Sequence, residues 1–273
     1  MSQLNPRQQE AMQYVSGPLL VLAGAGSGKT SVITRQIAYL IEECQMPAER
    51  ITAVTFTNKA AREMKARVQK LLTSDKTKGL TVSTFHQFGL QFLRYELVHT
   101  PLKGNFSIMD SEDSKRLLMD LMMRDNMSGA ESRELVSKAI KMISDWKNDL
   151  VPPEKAADTL TDPEDMLFAT LYQLYERNLR AYNAVDFDDL IVMPTRILQQ
   201  NTQVRDKWQN RIRYLLVDEY QDTNTAQYEM IKLLVGVQPR FTVVGDDDQS
   251  IYAWRGAKPE NMALLQEDFP KLK

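Results

Sequence analysis

The chain has 273 residues, of which 43% are hydrophobic and 26% charged, and its formal net charge is −2. This suffices for one large or two small domains with an ordinary core, and it excludes a uniformly charged polyelectrolyte. The single cysteine, Cys44, rules out an intramolecular disulfide and fits a reducing compartment. The opening residues are polar and no apolar run approaches membrane-spanning length, so a cytoplasmic protein without a membrane partner is expected. Charge is unevenly spread. Residues 1–103 carry 13 Lys/Arg against 7 Asp/Glu, and the remainder carries 21 against 29. A basic first part is compatible with a phosphate-rich partner.

Asn5-Pro6 reads as a helix start, with Asn5 as cap and Pro6 at the first helical position, and the helix is expected to run to about Val15. Gln8 on that helix reads first as a solvated glutamine, although its amide could also meet an adenine edge. Gly17-Pro18 turns the chain into an apolar strand, Leu19–Leu22. Next comes Ala23-Gly24-Ala25-Gly26-Ser27-Gly28-Lys29-Thr30, followed by a helical pattern with Val32, Ile33, Ile37, Leu40 and Ile41 on its apolar face. Strand, glycine-rich loop and helix form the context of a phosphate-binding loop. The glycines let backbone N–H groups approach phosphate oxygens at a helix N-terminus. Lys29 would reach the β- and γ-phosphates, and the Thr30 hydroxyl would ligate Mg²⁺. Ala23 stands where this motif usually has its first glycine, which is acceptable if it ends the strand with negative φ.

Ile51–Phe56 is a β-branched strand. Thr57-Asn58 then caps a helix from about Lys59 to Leu72, with Met64, Val68 and Leu71 as its apolar stripe. Its basic residues, including Lys59, Arg62, Lys65, Arg67 and Lys70, form either a solvated face or a grip on a nucleic-acid backbone. Leu80–Phe85 is a third strand, and His86 follows it as a capping residue or a nucleic-acid contact. From about residue 89 to 188 the strand pattern stops. Helices are expected at 111–125, 131–148 and 163–183, with Trp146, Phe168, Tyr172 and Tyr175 as core. Asp186–Leu190 opens another helix, its acids acting first as caps. Tyr214–Val217 resumes the sheet and ends in Asp218-Glu219. In that position Asp218 would hold Mg²⁺ and Glu219 would activate the attacking water. Phe241–Val244 is one more strand, leading to Gly245–Gly256. There Gln249 could sense a γ-phosphate, while Tyr252 and Trp254 offer faces for stacking bases.

Taken together, Leu4–Gln8, Ala23–Thr30, Thr55–Arg67, Thr84–His86, Asp186–Leu190, Leu215–Asn224 and Val243–Gly256 resemble the first half of a superfamily 1 DNA helicase of the UvrD/Rep/PcrA family, Rep-type members above all. The resemblance implies an α/β fold. This would be a RecA-like P-loop NTPase domain with a parallel sheet, formed by residues 1–88 and 189–273, interrupted by an all-helical inserted subdomain at 89–188. It implies a 3′–5′ DNA translocase and helicase using ATP and Mg²⁺ on single-stranded DNA and 3′-tailed duplex. It assigns Gln8, Ala25, Gly26, Ser27, Gly28, Lys29, Thr30 and Arg35 to the nucleotide, and Thr30 and Asp218 to the metal. Glu219, Lys29 and Gln249 become the catalytic set. Phe56, Thr57, Asn58, His86, Tyr252 and Trp254 line the DNA track. A second RecA-like domain would lie beyond Lys273, so this chain is expected to hold one half of a motor and not to unwind DNA alone. The alternatives are the motor subunit of a helicase–nuclease, a non-helicase P-loop ATPase and a catalytically silent nucleic-acid-binding module. Intact Lys29, Asp218 and Glu219 argue against the last.

Overall fold

A computed structural model describes residues 3–24, 26, 28–124, 131–246 and 260–273. The chain divides into two compact units. One comprises Met1–Phe88, Leu198–Asn224 and Tyr228–Lys273, and the other comprises Gly89–Ile197 with Thr225–Gln227.

The strands are β1 (Pro18–Leu22), β2 (Ile51–Thr55), β3 (Thr81–Thr84), β4 (Ser107–Met109), β5 (Ala184–Asp186), β6 (Tyr214–Val217) and β7 (Phe241–Gly245). In the first unit, the five segments read as strands from the sequence form one sheet in the order β1-β7-β6-β2-β3. Every pairing is parallel, with Leu19 opposite Thr242, Leu216 opposite Thr242, Ala53 opposite Leu216 and Ala53 opposite Val82. All residues of β2, β6 and β7 are buried, which is why these strands are apolar apart from Thr52, Thr55 and Thr242 and carry no charged residue. The Lys29–Glu42 and Asn58–Leu71 helices contribute Ile33, Ile37, Leu40, Met64 and Val68 to a shared core with Ile51, Ala53, Tyr214, Leu216 and Val244. Ile33 and Ile37 stand one turn apart and are fully buried, so truncating either to alanine should cost about 2–5 kcal/mol.

The first helix runs from Pro6 to Gln13, two residues shorter than its pattern suggested. Its start is a reciprocal capping box, in which Gln8 N–H donates to Asn5 Oδ1 at 2.9 Å and Asn5 N–H donates to Gln8 Oε1 at 3.0 Å. Its end is held by Gln36, whose amide donates to Tyr14 O at 3.1 Å and Ala11 O at 3.3 Å.

The second unit is built on helices Ser111–Arg124, Glu131–Asn148 and Met166–Ala181 and on the Asp189–Gln200 helix as far as Ile197. Its core includes Leu118, Ile143, Trp146, Phe168, Tyr172 and Tyr175. Trp146 stacks on Tyr172 with centroids 5.6 Å apart and rings 5° from parallel. One feature corrects the all-helical expectation: β4 and β5 form a small parallel pair, with Ile108 opposite Val185. Strands of three residues are too short to carry a period of two, and Ser107 and Ile108 are exposed, so neither signal was present. Among the described residues, no helix is long and apolar enough to cross a membrane.

Candidate functional site

Because β1, β7, β6, β2 and β3 are all parallel, their carboxyl ends share one edge of the sheet, where open α/β sheets bind ligands. The sequence-predicted residues fall there in two sets. The loop to Lys29 leaves β1, Asp246 follows β7, and Asp218 and Glu219 follow β6. Phe56, Thr57 and Asn58 follow β2, and His86 stands two residues beyond β3. Thus the nucleotide set occupies three strand ends and the described DNA set the next two, with β6 at the junction. Ala25, Ser27, Gln249, Tyr252 and Trp254 lie outside the described residues, as do Asp247 and Asp248.

The loop after β1 has the backbone its glycines suggested. Ala23 stays out of the left-handed region, and its N–H donates to Gly245 O at 3.3 Å, continuing the β1–β7 pairing. Gly26 and Gly28 adopt φ of 78° and 81°, which a side chain would strain. A Cβ built on Gly24 or Gly26 meets nothing within 4 Å, so the space beside these two glycines is open. Gly28 is the N-cap of the Lys29–Glu42 helix, and no side chain caps it. The first-turn N–H groups and the helix dipole therefore favour an anion. A Cβ on Gly28 would stand 3.2 Å from Gln8 Nε2, so the Gln8 amide lies against the loop. The capping box occupies Oε1 and turns the NH₂ group toward the loop. Arg35 is half-buried farther along the same helix.

Lys29 is largely buried, and its Nζ lies 3.8 Å from Asp246 Oδ2. Asp218 is 5% exposed, and one of its carboxylate oxygens accepts from Glu219 N–H at 2.9 Å. Burial, and next the Glu219 charge, push Asp218 up to about 6 against the opposing pull of that hydrogen bond, Lys29 and Arg67. No ion pair to Asp218 is present among the described residues. A buried carboxylate in this condition is one that a divalent cation would stabilise. Glu219 itself has φ 52° and ψ 42°, a left-handed conformation unusual for a side-chain-bearing residue. An open anion cradle, a cation and two strand-end carboxylates fit a magnesium–nucleotide.

At the β2 end, Thr57 Oγ1 accepts from Ala60 N–H at 3.1 Å and caps the basic helix, which leaves its hydroxyl proton available to a ligand. Asn58 is exposed at the first helical position. Phe56 is half-buried and packs on Phe85 with centroids 5.2 Å apart. His86 is half-buried in the first turn of the Phe85–Tyr95 helix.

A family model for the UvrD/REP helicase N-terminal domain matches residues 4–270 of this chain. The chain belongs to the UvrD/REP helicase N-terminal domain family. It is 55% identical over 273 residues to the ATP-dependent DNA helicase Rep of Escherichia coli (strain K12), an alignment covering 99% of this chain and 40% of that protein. It is 47% identical over 270 residues to Rep of Buchnera aphidicola subsp. Schizaphis graminum, covering 99% of this chain and 41% of that protein. It is 41% identical over 271 residues to the ATP-dependent DNA helicase PcrA of Staphylococcus aureus, covering 99% of this chain and 37% of that protein. The chain spans about two fifths of the length of these curated relatives.

This UvrD/REP-type domain also brings residues into the site that sequence reasoning passed over. Gln221 bridges Glu219 and Asp246, and Asn261 donates to Thr223 O at 3.0 Å and Asn224 O at 3.2 Å. Neither residue has a periodicity or spacing that marks it. Arg67 read only as part of a basic face, yet its charge acts on Asp218.

Proposed function

We propose that this chain is the ATP- and single-strand-binding half of a 3′–5′ DNA helicase. Residues 1–88 and 189–273 form the RecA-like lobe, and 89–188 the inserted subdomain. Its partners are single-stranded DNA, 3′-tailed duplex and a second RecA-like domain of the same protein. The observation that carries this reading is the shared strand edge, where an open anion cradle and the Asp218–Glu219 pair adjoin the β2 and β3 polar corners. A non-helicase P-loop ATPase would use the first three strand ends and leave the corners at Phe56–Asn58 and His86 without a role.

In this reading Gln8 and Arg35 hold the nucleoside, and the 24–30 loop with Lys29 holds the phosphates. Thr30 and Asp218 hold Mg²⁺, which when bound would offset phosphate charge. Glu219 accepts a proton from the attacking water, and Gln249 senses the γ-phosphate. Thr57, Asn58 and the helix N-terminus they begin would take a DNA phosphate. Phe56, His86, Tyr252 and Trp254 would meet sugars and bases.

The test is steady-state ATPase, with and without a single-stranded oligonucleotide, on the complete protein and on the 273-residue chain. The complete protein is expected to show strand-stimulated turnover. The chain alone should bind ATP on one open face and turn it over slowly, because arginines from a second lobe are worth roughly 10³–10⁵ in rate. Equal turnover by both would overturn the need for that lobe, and no strand stimulation of the complete protein would overturn the helicase reading.

A further inference from the structure

Gln221 lies two residues past Glu219, is 7% exposed, and spends both ends of its amide inside the site. Its Nε2 donates to Glu219 Oε2 at 2.6 Å, and its Oε1 accepts from the Asp246 backbone N–H at 2.9 Å. The orientation of the amide is fixed chemically: a backbone N–H can only donate, so Oε1 must face Asp246 and the NH₂ must face the carboxylate. β7 makes room for this contact with Gly245. A Cβ there would stand 2.8 Å from Gln221 Oε1 and 2.9 Å from Met262 Cε, so any larger residue displaces the amide.

The turn around Gln221 is held from a second side. Tyr220 OH donates to Asn261 O at 3.0 Å, and the Asn261 amide donates to Thr223 O and Asn224 O. The Tyr220–Asn224 turn is therefore tied to the β7 end at Asp246 and to the Glu260–Asp268 helix at Asn261. Glu219, in its left-handed conformation, is the residue this bracing holds.

We propose that Gln221 is a positioning residue for Glu219, restraining one carboxylate oxygen and leaving the other to face the attacking water. This rests on the reading of Glu219 as the base. A base must stand within hydrogen-bond reach of the proton it takes, and an error near 1 Å is costly. Anchoring Glu219 through a side chain to the neighbouring strand supplies that precision. The anchor, Asp246, also faces Lys29, so base and phosphate-binding lysine share one reference point.

The experiment measures kcat at saturating single strand, and nucleotide affinity, for Gln221→Met, Gln221→Glu and Gly245→Ala in the complete protein. Each is also combined with Glu219→Gln. Gln221→Met should lower kcat about 10- to 100-fold with nucleotide affinity within about twofold of the parent. Gln221→Glu keeps an acceptor for Asp246 but sets a second carboxylate against Glu219, and it should lose at least as much. Gly245→Ala should lose turnover without touching a polar group. On the Glu219→Gln background none should lower kcat further, because the three act through that carboxylate. A Gln221→Met that does not fold leaves the other two to carry the test. Folded variants with parental kcat, equal falls in kcat and affinity, or additive losses on Glu219→Gln overturn the assignment. Parental turnover in Glu219→Gln alone overturns the base reading and this inference with it. A large loss there with silent Gln221 variants overturns only the role of Gln221.

Discussion

Among the described residues, a carboxylate cluster in the helical unit and the strand-end carboxylates of the other unit are built to opposite ends. In the helical unit, oxygens of Glu176, Asp186 and Asp189 lie within 4.8 Å of one another, close enough to hold a metal ion. Lys147 Nζ already fills that place, at 2.6 Å from Glu176 and 2.9 Å from both Asp186 and Asp189. Arg180 pairs with Asp189 at 2.7 Å, and Tyr175 OH donates to Asp186 at 2.7 Å. Burial works against the Lys147 ammonium, but Asp186, Asp189 and Glu176 outweigh it and hold the group well above the usual lysine range. The β6 end does the reverse. Asp218 is buried without an ion pair among the described residues, and the helix after Gly28 begins at a residue with no side chain to cap it. The carboxylates of the helical unit are balanced by Lys147 and Arg180, whereas Asp218 feels Lys29 and Arg67 only at a distance.

The sharpest way to break this contrast is to alter each centre and see which property fails. Glu219→Gln keeps the shape and removes the base. Turnover of the complete protein should fall by about 10²–10⁴-fold while nucleotide binding and thermal stability hold. Turnover within about a factor of two of the parent would remove Glu219 from that role. Lys147→Met should do the opposite. It leaves three carboxylates facing one another out of water, and removing one partner of a buried ion pair costs about 3–5 kcal/mol. Hydrogen exchange should show the loss in residues 89–197, with nucleotide affinity of the folded protein preserved. A variant as stable as the parent would mean the cluster is dispensable to the fold.

What the sequence made legible follows the same division. The β strands of the sheet, the glycine-rich loop and the Asp218–Glu219 strand end were readable because burial on both faces produces apolar runs and because phosphate cradling demands glycines at fixed offsets. Trp146, Phe168, Tyr172 and Tyr175 were readable as core from helical spacing, and all four are buried. The Asp186–Asp189 corner reads first as a cap. It does cap, since Asp189 N–H donates to Asp186 Oδ1 at 2.8 Å, but Lys147 lies 39 residues from Asp186 and nothing local announces that pairing. Gln221 and Gly245 were invisible for the same reason: their contact exists only once β6 and β7 lie side by side. Gln8 was read first as a solvated residue because a capping glutamine and an amide set against a loop have the same sequence. In the structure Gln8 Oε1 accepts from Asn5 N–H, and its Nε2 lies beside Gly28.

A smaller effect is expected at Lys29. Its nearest described acid is Asp246 at 3.8 Å, beyond hydrogen-bond distance, so the fold gains less from it than from Lys147, whose three carboxylates lie within 2.9 Å. Lys29→Ala should leave the melting temperature unchanged. It should weaken magnesium–ATP binding by about 1.5–3 kcal/mol, the scale of a hydrogen bond to a charged group. Calorimetric titration giving equal affinities for variant and parent would count against the phosphate-loop assignment.

The smallest expected effect tests whether the helical centre is fully balanced, and it lies in a pH slope. Asp188 is half-buried beside the cluster and accepts from Asn148 Nδ2 at 3.2 Å. Burial first, and then the charge of Asp186, push it up to about 7 from an ordinary 3.8, while Lys147, Ser144 and Asn148 pull the other way. The folded state thus favours the neutral acid. Its contribution to stability is fully present below the ordinary value, falls as pH rises through the interval, and is gone above about 7. Asp186 and Glu176 are also raised, chiefly by burial, and slope the same way. Asp188→Asn keeps an oxygen for Asn148 and removes the titration. Denaturant unfolding of the helical unit at pH 5 and at pH 8 should therefore lose about 1–3 kcal/mol less in the variant than in the parent. The variant should exceed the parent at both pH values, and by more at the higher, because pH 5 already lies inside the interval. Parallel slopes for the two proteins would mean that Asp188 is ionised throughout, and that the Lys147 centre has enough positive charge to neutralise a fourth carboxylate.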